Sequence, residues 1–125
     1  MKGDFTRSTF EQERHYNSVR MQQGRVQLDA DWNEQVDIQA YLDHTTRFDV
    51  IGPCGAPKDD SGFALEMQDG NPWISAGRYY VDGILCENEQ DVPVTNQPDL
   101  PGFALPEDPG LYLAYVDVWQ RHVTA

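Results

Sequence analysis

The sequence predicts an α+β fold: one long N-terminal helix after a short hairpin, packed on a small antiparallel β-sheet with long Pro-rich loops. Three observations predict it. Residues 32–48 run without Gly or Pro behind a helix-start signal at Asp31. After residue 51 the pattern changes to short alternating segments bounded by turn residues, among them Asp82-Gly83. Residues 93–109 hold five of the eight prolines, which marks a long loop rather than an element.

Residues 1–17 are polar, with isolated aromatics at Phe5, Phe10 and Tyr16, and read as an extended arm anchored at a few points. The remainder, 18–125, reads as a single α+β domain. Val19 and Met21 alternate with polar neighbours, as do Val26 and Leu28, so two short strands joined through Gln22-Gln23-Gly24 are expected, with Arg25 just after the turn. Asp31 is expected to cap the helix by accepting from the backbone of Glu34 while Glu34 reaches back. The run that follows spans roughly 17 residues, or about 26 Å of helix. Val50-Ile51-Gly52-Pro53 ends it. Strands are expected at 63–67, 73–75, 78–81 and 84–87, the last two flanking the Asp82-Gly83 turn. Residues 111–119 form the longest and most apolar strand candidate and are expected at the centre of the sheet.

Composition narrows the function. With 125 residues, 39% of them hydrophobic, the chain is large enough for one domain with a core. Nine Lys and Arg stand against 21 Asp and Glu, and the net charge of -12 repels phosphate backbones and anionic membranes. Arg7, Arg14, Arg20 and Arg25 are spaced singly and form no basic cluster, so no nucleic-acid partner is expected. The start has no apolar run and no stretch approaches the ~20 apolar residues of a membrane span, so neither a signal peptide nor membrane insertion is expected and cytoplasmic synthesis is the default. Cys54 and Cys86 lack the Cys-x-x-Cys pattern and read as free thiols in a reducing compartment.

The helix carries more apolar surface than one sheet requires. At 100° per residue, Trp32, Val36 and Ala40 make one stripe; Ile38, Tyr41, Leu42 and Phe48 make another. One neighbour is the chain's own sheet. The second is either another copy of the chain or the long loops of the same domain. The assembly interface is therefore expected at Trp32, Val36, Ile38, Tyr41 and Leu42.

Candidate chemistry is weak. Asp29-Ala-Asp31-Trp-Asn33 has the opening spacing of a calcium loop, but Glu34 stands where its glycine belongs and Ala40 where its last carboxylate belongs. Asp31 and Glu34 could pair as glycosidase carboxylates, yet acids at a helix start are more often capping groups. His15, His44 and His122 have no ligand-like spacing. No nucleophile elbow or phosphate-binding glycine loop is present. The expectation is a protein that is not an enzyme and carries no cofactor or metal. Trp73, Tyr79, Tyr80 and Tyr112 could stack on a sugar, which makes a carbohydrate-binding accessory domain of a secreted or surface protein the alternative reading.

Gly24-Arg25-Val26-Gln27-Leu28 followed by Asn33-Glu34-Gln35 resembles the N-terminal region of phage tail-fibre and baseplate-wedge proteins, where a glycine-arginine turn and short strand lead into a helix opening with Leu-Asn-Glu. Here Trp32 replaces that Leu. With Met-Lys-Gly-Asp-Phe-Thr-Arg, His15-Tyr16, Ile51-Gly52-Pro53 and Val116-Asp117-Val118-Trp119, the chain is still more similar to domain-of-unknown-function proteins encoded with extracellular contractile injection systems. The resemblance implies the N-terminal part of a longer protein, docking a fibre-like or spike-like component onto a baseplate as a homotrimer. It further implies partners among the baseplate proteins of a contractile particle. Such a protein would be cytoplasmic during assembly and then part of a virion-like or extracellular particle.

Overall fold

The computed structural model describes residues 4–121 and 123. The fold is α+β, with one α-helix and two small antiparallel sheets among the described residues. The described residues fall into two compact units, one made of 4–50 with 120, 121 and 123, the other of 51–119.

The helix α1, Asp29–Ile51, which belongs to the first unit up to Val50, is longer than expected at both ends. Its 23 residues correspond to about 35 Å. It begins earlier because Leu28, not Asp31, occupies the boundary: the Leu28 carbonyl accepts from the N–H groups of Asp31 (3.1 Å) and Trp32 (3.3 Å). Asp31 lies in the first turn and its carboxylate accepts the Leu28 N–H at 3.1 Å, which is the returning half of a capping box. Glu34 takes no part in it. Asp29 and Asp31 both stand where the positive end of the helix dipole favours a carboxylate. The helix ends at Gly52, whose φ of +90° only glycine adopts cheaply, with Pro53 beyond it.

The arm is tied to this helix as an out-and-back strap. Thr6 donates to Asp29, Thr9 to Glu34 and the Gln12 amide to the Tyr41 hydroxyl at 2.8 Å. Six extended residues reach about 20 Å and twelve helical residues rise about 18 Å, so the arm runs parallel to the helix axis. A 3-10 turn at Gln12–Arg14, braced by an Arg14–Glu11 ion pair of 2.6 Å, then reverses the chain through His15 at φ +54°. On the way back the Val19 N–H donates to the Gln35 side chain at 2.8 Å. The expected hairpin around Gly24 is present only as a turn, with φ +76° at Gly24 and Arg25 N–H to Gln22 carbonyl at 3.2 Å. No strand ladder flanks it, because Gln35 takes the Val19 N–H and Asp31 the Leu28 N–H.

The second unit holds β1 (Cys54–Gly55), β2 (Leu65–Gln68), β3 (Asn71–Ile74), β4 (Gly77–Val81), β5 (Ile84–Asn88) and β6 (Val92–Pro93). Where one sheet was expected there are two, ordered β1-β4-β5 and β2-β3-β6. Both two-residue hairpin turns are Asp-Gly with positive φ at each position: Asp69-Gly70 (+50°, +81°) and Asp82-Gly83 (+50°, +71°). The register places Tyr79 opposite Cys86 and Cys54 opposite Val81.

The two sheets meet at Ser75. Its N–H donates to the Ala64 carbonyl (2.9 Å), its hydroxyl accepts the Ala64 N–H (3.0 Å), and its carbonyl takes the Phe63 N–H and the Asn88 amide, both at 3.1 Å. There Gly62 crosses Gly77 so closely that a Cβ on Gly62 would lie 2.4 Å from the Gly77 carbonyl carbon. Residues 111–119, expected as the central strand, carry no regular structure and join neither sheet.

Candidate functional site

The arm decides which face of the helix is free. Ala30, Glu34, Ile38, Tyr41 and Thr45 fall within one narrow arc, and this is the face on which the arm hydrogen-bonds and on which burial is greatest. Ile38 is 0% exposed. It is core within its own chain, and the expectation that it contacts a neighbour is corrected accordingly. Tyr41 is half-buried, with its ring 5.9 Å from that of Phe10 and its hydroxyl engaged by Gln12.

Trp32 and Val36 lie on the opposite face, 62% and 49% exposed, with Leu42 exposed on the flank. The five residues expected at one interface thus separate into an inward pair, Ile38 and Tyr41, and an outward group, Trp32, Val36 and Leu42. Asn33 is half-buried beside them.

Near the start of the helix, Arg20 and Arg25 line a shallow cleft of about 290 Å³ with Val19, Met21, Val26 and Asp31. The Asp31 carboxylate there is engaged by Leu28. Arg14, Arg47 and Arg78 are instead paired with Glu11, Asp43 and Asp60.

Titration is perturbed at few points. The Thr6 hydroxyl, and then its N–H, hold the Asp29 carboxyl below its ordinary range. A hydrogen bond with Cys54, followed by burial, pushes the Tyr79 phenol up. Burial alone pushes the Cys86 thiol up. Both cysteines are free.

The chemistry considered from sequence is dispersed. Asp31 serves Leu28, and Glu34 serves Thr9. His15 sits in the reversal of the arm and His44 on the helix, while His122 lies outside the described residues. Among the described residues no three His, Cys, Asp or Glu side chains gather as a metal would require, and no helix is long and apolar enough to cross a membrane. Trp73 belongs to the β2-β3-β6 sheet, Tyr79 and Tyr80 to the other, and Tyr112 to neither, so the aromatics share no single strand face. Tyr79 instead packs near Phe63, ring centres 6.3 Å apart.

Sequence reasoning missed the residues that hold the arm: Thr6, Thr9, Gln12 and Gln35. Their partners stand 16 to 29 residues away, and no local pattern announces such pairs. It also passed over the Asp69-Gly70 turn, although Asp-Gly was the available signal.

What these features define is an α+β protein whose helix keeps one face for its own arm and leaves the other open. The whole chain, residues 1–125, matches the family described as Family of unknown function (DUF6519), and the chain belongs to that family. No curated protein and no solved structure matches it.

Proposed function

We propose that this chain is a structural, non-enzymatic module of a contractile, phage-tail-like injection particle, attaching a fibre-like or spike-like protein to the baseplate. The observation that carries the reading is the open stripe on α1: Trp32 is 62% exposed beside exposed Val36, on a helix whose opposite face its own arm already covers. A solvated tryptophan next to a valine on a rigid helix is the kind of aromatic anchor that protein interfaces bury. The resemblance of Gly24-Arg25-Val26-Gln27-Leu28 and Asn33-Glu34-Gln35 to fibre and baseplate-wedge proteins supplies the biological setting. In that setting the chain assembles in the cytoplasm as a homotrimer and then becomes part of the particle, with baseplate proteins as partners and no cofactor.

The test is the native mass by light scattering, for the natural chain and for Trp32→Ala and Leu42→Asp. A mass of three chains that falls in both variants, with circular dichroism unchanged, supports the reading. Loss of fold with the oligomer intact in the surviving protein counts against it.

A further inference from the structure

Asp108-Pro109 is the one Asp-Pro bond in the sequence. It lies in an exposed stretch outside both sheets, where the backbone bends at Glu107, Asp108 and Gly110. Tyr112 turns back over this bend, and its hydroxyl donates to the Asp108 carbonyl oxygen. Its ring lies against Gly110, where the position a Cβ would take is 3.6 Å from Tyr112 Cε2, Cζ and Oη. Among the described residues no hydrogen bond or ion pair holds the Asp108 carboxyl. One bond thus has a proton donor on its carbonyl oxygen, an unengaged carboxyl on the same residue, and a nitrogen that carries no hydrogen.

We propose that Asp108-Pro109 is a self-cleavage site, with the Asp108 carboxyl as nucleophile and the Tyr112 hydroxyl as the donor that stabilises the oxyanion. A side-chain carboxyl oxygen of Asp108 reaches its own backbone carbonyl carbon by closing a five-membered ring, and intramolecular attack of this kind carries a high effective molarity. As the new C–O bond forms, the carbonyl electron pair moves onto the oxygen that already accepts from Tyr112. The tetrahedral centre then collapses. The bond from carbon to the Pro109 nitrogen breaks, its electron pair stays on nitrogen, and the carboxyl proton completes the secondary amine. Asp108 is left as a cyclic anhydride, which water opens to two carboxylic acids. The sum is one water consumed, with nothing oxidised or reduced.

Proline directs the chemistry to scission. After Asp69 and Asp82 a glycine N–H follows, and attack by such a nitrogen on the side-chain carboxyl gives a succinimide that leaves the chain whole. Pro109 has no N–H, so that route is closed. The leaving nitrogen takes the carboxyl proton, and the reaction is therefore faster in mild acid. Glu107 and Tyr112 are the other titratable side chains of this bend.

Cleavage leaves α1 and both sheets on the piece that ends at Asp108 and releases the run from Pro109 onward, which joins neither sheet. It is a single-turnover reaction of the chain on itself and does not rest on the particle assignment.

The experiment holds the full chain in mildly acidic buffer, with and without denaturing urea, and follows its intact mass over time. Two pieces are expected, their masses summing to the 14.2 kDa chain plus one water, one ending at Asp108 and the other starting at Pro109. Tyr112→Phe removes one donor from the developing oxyanion and is expected to slow cleavage of the folded chain about tenfold. In urea the Tyr112 contact is gone, so the natural and Tyr112→Phe chains cleave at one slow rate. Asp108→Asn, without the carboxyl nucleophile, and Pro109→Ala both stay whole at this bond.

A folded natural chain that cleaves no faster than the urea-unfolded one overturns the proposal. So does a Tyr112→Phe chain that keeps the natural rate with circular dichroism unchanged. If that substitution alters the circular dichroism, the folded and unfolded natural chains decide alone. A rate that rises with protein concentration also overturns it, because the reaction lies within one chain.

Discussion

Thr6 closes on Asp29 with two hydrogen bonds at once, its N–H to one carboxylate oxygen at 2.9 Å and its hydroxyl to the other at 2.6 Å. Both bonds favour the charged carboxylate, so the Asp29 pKa is lower in the folded chain than its ordinary value of 3.8. A depressed carboxylate contributes stability that is fully present above the ordinary value and is lost as the pH falls through the folded one. Exchange of the Thr6 amide proton is therefore expected to speed up on acidification below pH 3.8, after correction for the intrinsic rate. In Asp29→Asn it is fast throughout, because the charge is gone. An Asp29→Asn chain with undiminished Thr6 protection would show that the strap does not depend on this clamp.

Ile38 and Trp32 share a helix but stand in opposite environments, fully buried and 62% exposed. Ile38→Ala is expected to cost about 2–4 kcal/mol, by lost burial and the cavity left behind. Trp32→Ala should cost the fold about 0.5 kcal/mol or less, as surface changes do. Denaturant midpoints of the two variants decide it. Comparable losses would mean that Trp32 is held within the folded chain.

Gly62 and Gly77 cross so closely that neither has room for a Cβ. Gly77 has φ +122°, and a Cβ there would meet the Gly62 nitrogen at 2.8 Å. Alanine at either position is expected to destabilise by about 2–4 kcal/mol, through overlap at both and strain at Gly77. Gly24→Ala, at φ +76° in open space, should cost only about 1 kcal/mol. Thermal unfolding of the three variants tests the ranking.

Cys54 is exposed, whereas Cys86 is half-buried with its thiol pushed up by burial. Since the thiolate is the reactive form, alkylation near neutral pH is expected to modify Cys54 first and Cys86 several-fold more slowly. Peptide mass mapping over a time course reads the order. Simultaneous labelling would place Cys86 in water.

Much of the fold was legible wherever its cause is local. Freedom from Gly and Pro between Leu28 and Gly52 announces the helix, and Gly52-Pro53 its end. Asp82-Gly83 announces its hairpin because two consecutive positive φ values suit those residues. The helix start was misplaced by three residues because Asp31 can serve as a cap or as a first-turn acceptor, and sequence does not say which backbone N–H it takes.

The sequence by itself determined the helix, the alternating segments, the acidic surface and the surplus of apolar side chains. Tertiary structure decided which of those side chains found a partner. The arm, an unremarkable polar stretch, takes one helix face through Thr6, Thr9, Gln12 and Val19, and so makes Ile38 core and leaves Trp32 in water. Residues 111–119 have every local mark of a central strand and join no sheet. Strand propensity is a property of residues, but a ladder needs a neighbour, and that neighbour is set by contacts far apart in the chain.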